Sequence, residues 1–387
     1  MSKRRRPIDW RTLAILLILV LCVALYDAYT QPVVEAPVTV SDPTQTTEPA
    51  VPPTPAPTQP DTLDVYMTTS ALVYPDIPAE RVAPALYTAF LADIDAATTS
   101  IDIAVFDIDL PELGQALVRA AKRGVAVRVA YDDENLTDAR VAKLIGSLQD
   151  AQVTVRSDQR EPFMHQKTAV IDGRIVWTGS WNMTMNDTYR NNNNMVRIVS
   201  PQMAAGYTVE ADQLMAGMFG VHKASNAPHP VVTIGKRRVQ YAFSPVDGIN
   251  QQIVNLIDAA TTRITFMAFS YTDPAISSAM IRAHKRGVVV AGVMEKQNIR
   301  GTGSVFEKLQ TANVDIIADG NCYIMHHKTI VIDDDTVITG SYNFTKSAEK
   351  SNDENAIVIN DPDTARIYLA EYDLVRTNAD TPTACDS

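Results

Sequence analysis

The chain repeats itself, and the repeat limits its folding options more than any other feature of its 387 residues. Ile94-Asp95-Ala96-Ala97-Thr98-Thr99-Ser100-Ile101 returns 163 positions later as Ile257-Asp258-Ala259-Ala260-Thr261-Thr262-Arg263-Ile264, and Lys122-Arg123-Gly124-Val125 returns as Lys285-Arg286-Gly287-Val288 at the same spacing. Solenoid repeats have periods of about 20–50 residues, so a period this long marks a duplicated half-domain. The fold must therefore consist of two similar bodies.

Each copy carries one further pattern. The first reads Met164-His165-Gln166-Lys167-Thr168-Ala169-Val170-Ile171-Asp172, then Gly179-Ser180-Trp181-Asn182. The second reads Met325-His326-His327-Lys328-Thr329-Ile330-Val331-Ile332-Asp333, then Gly340-Ser341-Tyr342-Asn343. Both are H-x-K-x-x-x-x-D followed by G-S-x-N with equal internal spacing. The histidines are 161 apart, so the second copy has lost two residues in an intervening loop. One such motif is a weak signal; the duplicated pair is specific.

Within a copy, strand and helix patterns alternate. In the first, β-branched runs predict strands at 101–106, 125–130 and 153–155, with helices at 113–122 and 138–148 from apolar positions three and four apart. Gly124 after Lys122 and Arg123 is a helix C-terminal signal. The motif predicts a hairpin, 168–171 and 174–178 about an Asp172-Gly173 turn, then a strand near 195–198 and a helix ending near Met218. The second copy repeats this to Arg376. The expected class is α/β, two homologous half-domains each with a mixed sheet, at 64–225 and 226–387.

Alternation along the motif strand projects His165 and Lys167 from one face, and His326 and Lys328 likewise. His327 points to the other face and is left out of the site. A histidine near neutral pH can act as nucleophile, acid or base, and a lysine beside it supplies positive charge for an anion. Two His and two Lys together would neutralise a phosphodiester and its transition state without a metal. Neither motif offers the carboxylate cluster that magnesium needs, so no metal and no cofactor are expected.

The paired motifs resemble those of the phospholipase D superfamily, over about 63–376. The resemblance implies two sheets packed about a pseudo-twofold axis, with the motifs meeting at the seam. It implies a phosphohistidine intermediate on one His, the other protonating the leaving alcohol and then activating water or another alcohol. Its motif matches make His165, Lys167, Asp172, His326, Lys328 and Asp333 the catalytic set, the aspartates more often structural. Asn182 and Asn343 match phosphate-holding positions, supported by Ser180 and Ser341. Glu354 lies 28 residues after His326, where the family often places a carboxylate bonded to its histidine; the matching position after His165 is Asn193. On that spacing Glu354 serves His326 and keeps it a protonated acid, while Asn193 leaves His165 the neutral nucleophile. Alternatively the first motif is weakened, or Asp187 substitutes. Trp181 and Tyr342 are read as packing residues.

Ahead of the repeats, Lys3, Arg4, Arg5, Arg6 and Arg11 precede an apolar run of fourteen residues, 13–26. A spanning helix needs about 20, so 1–27 reads as a signal anchor or a signal peptide; poor cleavage positions favour an uncleaved anchor, with the catalytic part outside the cytoplasm. Residues 28–63 hold nine Pro and eight Thr with no Lys or Arg, a disordered linker that reaches at most about 110 Å. Cys322 and Cys385 could pair outside the cell or remain thiols.

The net charge is −11, which counts against a nuclease because non-specific nucleic-acid binding needs basic surface. The leading reading is a phospholipase D-type phosphodiesterase with a monomeric catalytic unit, acting on phospholipid head groups by hydrolysis or head-group exchange. The alternatives are a metal-independent endonuclease with nucleic acid as substrate, a cardiolipin synthase-like transferase, and a lipid-binding protein without catalysis.

Overall fold

The computed structural model describes residues 60–225, 229–380 and 385; the expected anchor and nearly all of the linker lie outside them. Among the described residues no helix is long and apolar enough to cross a membrane. The first half runs β1 (Thr62–Met67), α1 (Ala85–Ala96), β2 (Ser100–Val105), α2 (Pro111–Lys122), β3 (Ala126–Tyr131), α3 (Ala139–Asp150), β4 (Thr154–Ser157), β5 (Lys167–Ile171), β6 (Ile175–Gly179), α4 (Met185–Tyr189), β7 (Asn194–Val199) and α5 (Pro201–Met215). The second runs β8 (Val232–Ile234), β9 (Arg237–Ser244), α6 (Ile249–Ala259), β10 (Arg263–Ala268), α7 (Pro274–Lys285), β11 (Val289–Met294), α8 (Phe306–Thr311), β12 (Asp315–Ala318), β13 (Lys328–Ile332), β14 (Thr336–Gly340), α9 (Lys346–Lys350), β15 (Glu354–Asn360) and α10 (Pro362–Asp380).

Each half builds one mixed sheet. The first has strand order β1-β7-β6-β5-β2-β3-β4, the second β12-β11-β10-β13-β14-β15-β9-β8. β2-β3-β4 and β10-β11-β12 are parallel, joined by helical crossovers, and the motif hairpins β5-β6 and β13-β14 are antiparallel. Helices α2 and α7 stop where Gly124 (φ +90°) and Gly287 (φ +93°) turn left-handed, a conformation that costs glycine little. This explains the repeated Lys-Arg-Gly-Val.

Both faces of each sheet are buried. Outer faces pack on helices: Phe90, Ile94, Leu113, Leu117 and Leu148 cover Ile101 and Ile103 in the first half, and Ile253, Ile257, Ile276 and Met280 cover Ile264 and Phe266 in the second. Inner faces share one core, where Val170, Val176, Val196 and Ile198 join Val331, Val337, Ile357 and Ile359. Each such side chain contributes about 1.5–3 kcal/mol when fully buried, so the seam is a hydrophobic interior. All five residues of β5 and of β13 are buried. The motif strands therefore lie inside rigid structure.

Three strands were not legible in the sequence. β1 starts at Thr62, inside the stretch read as linker, and pairs with β7, while β8 and β9 pair antiparallel beside β15. β1 is an edge strand with one buried residue among six, too little alternation to be recognised. The thiols left open by the sequence form a disulfide, Cys322–Cys385.

Candidate active site

The two motifs meet because each reaches across the seam. Met164 bridges Asp353, and the His165 N–H donates to the Asp353 carbonyl at 2.9 Å. Reciprocally, Met325 bridges Asn192, and the His326 N–H donates to the Asn192 carbonyl at 3.0 Å. A twofold relation between the halves requires contacts in such matched pairs.

This crossing overturns the expected histidine partners. Glu354 does not serve His326: its Oε2 lies 2.7 Å from Nδ1 of His165. Asn193 does not serve His165: its Oδ1 lies 3.0 Å from Nδ1 of His326. Spacing along the chain located both groups correctly and gave each to the wrong half. Asp187 substitutes in a different sense from that expected, standing 3.5 Å from Nδ1 of His326. The G-S-x-N serines set these acceptors: the Ser341 hydroxyl donates to Glu354 at 2.8 Å, and the Ser180 hydroxyl donates to Asn193 Oδ1 at 2.8 Å. Each then accepts a backbone N–H at 3.0 Å, from Asn355 and Asn194. A carboxylate or amide oxygen at Nδ1 fixes the ring tautomer and leaves Nε2 to face the reaction.

Lys167 and Lys328 are 0 % and 1 % exposed. Their ammonium groups donate to the carbonyls of His165 and His326 at 2.8 and 2.7 Å, and sit 5.2 and 4.6 Å from the rings of Phe106 and Phe269. The same phenylalanines flank the histidines, with Phe106 5.0 Å from the His165 ring and Phe269 4.7 Å from the His326 ring. Burial pushes Lys167 down to about 8, against the pull of Glu354 and Asp187. Burial, then repulsion from Lys167, drives Lys328 well below the ordinary lysine range. Burial lowers His165 to about 4 although Glu354 opposes it, and His326 falls well below 6.5 through burial and the charges of Lys328, Lys167 and His165. Four bases crowded in a low-dielectric site cannot all hold protons, and a bound phosphate anion relieves that repulsion.

Asn182 and Asn343 each have a buried Oδ1 without a hydrogen-bond partner; the Nδ2 of the same amide is the donor that can meet a phosphate oxygen. His327 is structural: Nε2 is 2.7 Å from Glu371 and Nδ1 is 3.0 Å from the Asn194 amide. Its counterpart Gln166 donates to Glu210. Trp181 and Tyr342 are core residues, bonded to Thr188 and Glu349.

Asp172 and Asp333 are not in the site. Each lies past the far end of its motif strand at positive φ, +53° and +51°. Asp172 accepts the N–H groups of Thr98, Thr99 and Ser100 at 3.0, 2.7 and 3.0 Å and both threonine hydroxyls. Burial raises its pKa, but these donors outweigh it and hold the carboxyl at about 2. Asp333 does the same with Thr261, Thr262 and Arg263. The repeated Ala-Ala-Thr-Thr is thus the receptor for the motif aspartate, a link that the shared repeat could have signalled.

Sequence reasoning missed Asp107, Asp353, Glu210 and Lys223. The Lys223 ammonium is fully buried between Glu210 and Asp353, 2.9 Å from the latter, and Arg160 also pairs with Asp353. This network fixes the residue preceding Glu354. Nothing in local sequence marks these groups, because their partners come from distant segments. The one group of three converging carboxylates among the described residues, Asp132, Asp133 and Asp158, includes an Asp132 already occupied by the Glu134 and Met164 N–H groups.

Comparison with known proteins agrees with this geometry. The family model "Cardiolipin synthase, PLD-like domain" matches residues 90–215 and 253–375, one match per half. A phospholipase D of Rickettsia conorii is 37% identical over 139 residues, covering 36% of this chain and 70% of the relative. A mitochondrial cardiolipin hydrolase of Xenopus tropicalis is 36% identical over 118 residues, 30% of this chain and 55% of the relative. In fold, the chain is similar to a phosphatidylserine synthase of Haemophilus influenzae, with TM-score 0.56 at 14% identity over 74% of this chain and 82% of that one. With both halves matched across more than half of its length, the chain belongs to the phospholipase D superfamily, in the family of cardiolipin synthase-type PLD-like domains.

Proposed function

We propose that the protein is a phospholipase D-type phosphodiesterase that cleaves the head-group ester of a phospholipid through a phosphohistidine at His165. The observation that carries the assignment is the Glu354 carboxylate 2.7 Å from Nδ1 of His165. Phosphorylation of Nε2 leaves a positive charge on the imidazole; a carboxylate on the opposite nitrogen stabilises it, and an amide oxygen does so far less. His165 is then the nucleophile for a reason opposite to the one the sequence suggested.

In the first step Nε2 of His165 attacks phosphorus, and the bond from phosphorus to the head-group oxygen breaks. The leaving oxygen takes a proton from Nε2 of His326, whose proton affinity rises when the phosphate anion enters. Lys167, Lys328, Asn182 and Asn343 hold the non-bridging oxygens and offset their growing charge. In the second step Nε2 of His326 takes a proton from water, the oxygen attacks phosphorus, and the P–N bond to His165 breaks. Water yields phosphatidic acid; an alcohol in its place yields an exchanged head group.

Lipid is favoured over nucleic acid by the names of the relatives and by the net charge of −11. Placement outside the cytoplasm is supported by the Cys322–Cys385 disulfide, since such bonds persist in oxidising compartments. The full chain in EDTA, assayed against phospholipid vesicles and single-stranded DNA, should release head group and leave DNA intact. DNA cleavage without lipid cleavage would replace this reading with the nuclease, and loss of all activity in EDTA would refute the metal-independent site.

A further inference from the structure

Asp107 is a carboxylate at the site that the reaction above leaves unused. It follows Phe106, whose ring flanks His165 and Lys167. Its segment is pinned to the loop after the first motif: Ile108 bridges Met183, the Met183 N–H donates to the Asp107 carbonyl at 3.2 Å, and the Asp109 N–H donates to the Met183 carbonyl at 3.0 Å. That places Asp107 beside Asn182. Its Oδ1 is buried and has no hydrogen-bond partner. Lys167 and Asp187 both act on it electrostatically, and burial followed by the repulsion of Asp109 and Asp187 raises it to about 6.

The internal repeat supplies the control. The corresponding residue in the second half is Ser270, in the same setting: Tyr271 bridges Phe344, and the Phe344 N–H donates to the Ser270 carbonyl at 3.1 Å. Asp187 likewise faces Ala348 in the alignment of the halves. The two walls thus share His, Lys, Phe and Asn, and a matched acid on the N–H before each motif histidine, Asp132 and Glu295. Asp107 and Asp187 are the carboxylates for which the second half has Ser270 and Ala348. Asp187 is committed to the Asn182 N–H at 2.7 Å, the Asn191 amide at 2.6 Å and the neighbourhood of His326. Asp107 alone of the pair keeps an oxygen free.

An unpaired buried carboxylate oxygen repels phosphate and is satisfied by an N–H donor, most strongly a charged one. We propose that Asp107 is a specificity residue that receives the ammonium of an amine-bearing head group and so orients a zwitterionic phosphodiester on the first half's wall. This rests on the lipid reading above. A nucleic acid would instead bring its neighbouring phosphates toward a carboxylate.

The test compares the full-length protein with Asp107→Ser, which installs the second half's residue, and Asp107→Glu, on mixed vesicles of phosphatidylethanolamine and phosphatidylglycerol. Wild type should prefer the amine head group, and Asp107→Ser should lower the ethanolamine-to-glycerol ratio of kcat/KM by about ten-fold or more. Asp107→Glu should restore part of that preference, which a merely structural role would not produce. A ratio unchanged in Asp107→Ser, or equal loss on both lipids, overturns the assignment while leaving the lipid reading intact. Failure of wild type to cleave either lipid, while it still hydrolyses bis(p-nitrophenyl) phosphate, overturns the lipid reading and this proposal with it.

Discussion

Glu354 and Asn193 occupy matching positions in the two halves, yet each serves the histidine of the other. The exchange makes the site chemically asymmetric. Glu354→Gln removes the charge that stabilises phosphorylated His165 and should lower kcat by about 100-fold or more. It should also lower the His165 pKa further and leave that of His326 nearly unchanged. Asn193→Asp should raise the pKa of His326 instead. Titration of the histidine ring protons by NMR distinguishes the two, and the reverse pattern would restore the pairing expected from spacing. A second outcome concerns Lys167. Since its pKa is lowered to about 8, its cationic form is present below that pH and lost above it. kcat/KM should fall as pH rises through about 8, and the residual activity of Lys167→Arg, whose guanidinium stays charged, should lack that limb. The histidines, lysines, serines and asparagines of the site were legible because a motif strand and its hairpin fix them locally. The histidine partners were not, because distance along a chain carries no information about which half a side chain crosses into. Asp107 was missed because a lone acid after a strand has no pattern.

At the scale of elements, the motif hairpin is anchored at both ends by different chemistry. The His end is tied across the seam, and the Asp end is clamped onto the turn before β2 or β10. Asp172→Asn weakens three charge-assisted N–H bonds and should destabilise the protein by about 2 kcal/mol, read as a shifted denaturant midpoint. Its kcat, measured where the protein is folded, should stay within about two-fold of wild type; a large loss would place Asp172 in the chemistry after all. The disulfide closes a loop between positions 63 apart, and Cys322 stands in the segment that leads into His326. Cys385→Ser should cost at most about 4 kcal/mol by the loop-closure estimate, and unchanged unfolding would show that the bond adds no constraint. The α/β class, the mixed sheet of each half and the hairpins followed from periodicity and from the helix stop at Gly124. The edge strands β1 and β8, and β9 beside β8, did not, since their order comes from the distant strands they pair with rather than from a local pattern.

At the scale of the whole molecule, duplication supplied two copies of an incomplete unit, and the seam completes both. The shared inner core of Val170, Val176, Val331 and Val337 holds the halves in register, and the Lys223–Asp353 pair holds the strand end that presents Glu354. Symmetric parts then bear different loads: His165 with a carboxylate, His326 with an amide, and Asp107 in the first half where the second has Ser270. The central claim is that one shared site works through a covalent bond to His165 alone. Acid quenching during turnover of a phosphodiester, followed by peptide mapping under conditions that preserve phosphohistidine, measures this directly. Phosphate should be found on the peptide containing His165 and should be absent from it in His165→Ala. Phosphate on His326, or shared evenly between the two histidines, would contradict the account.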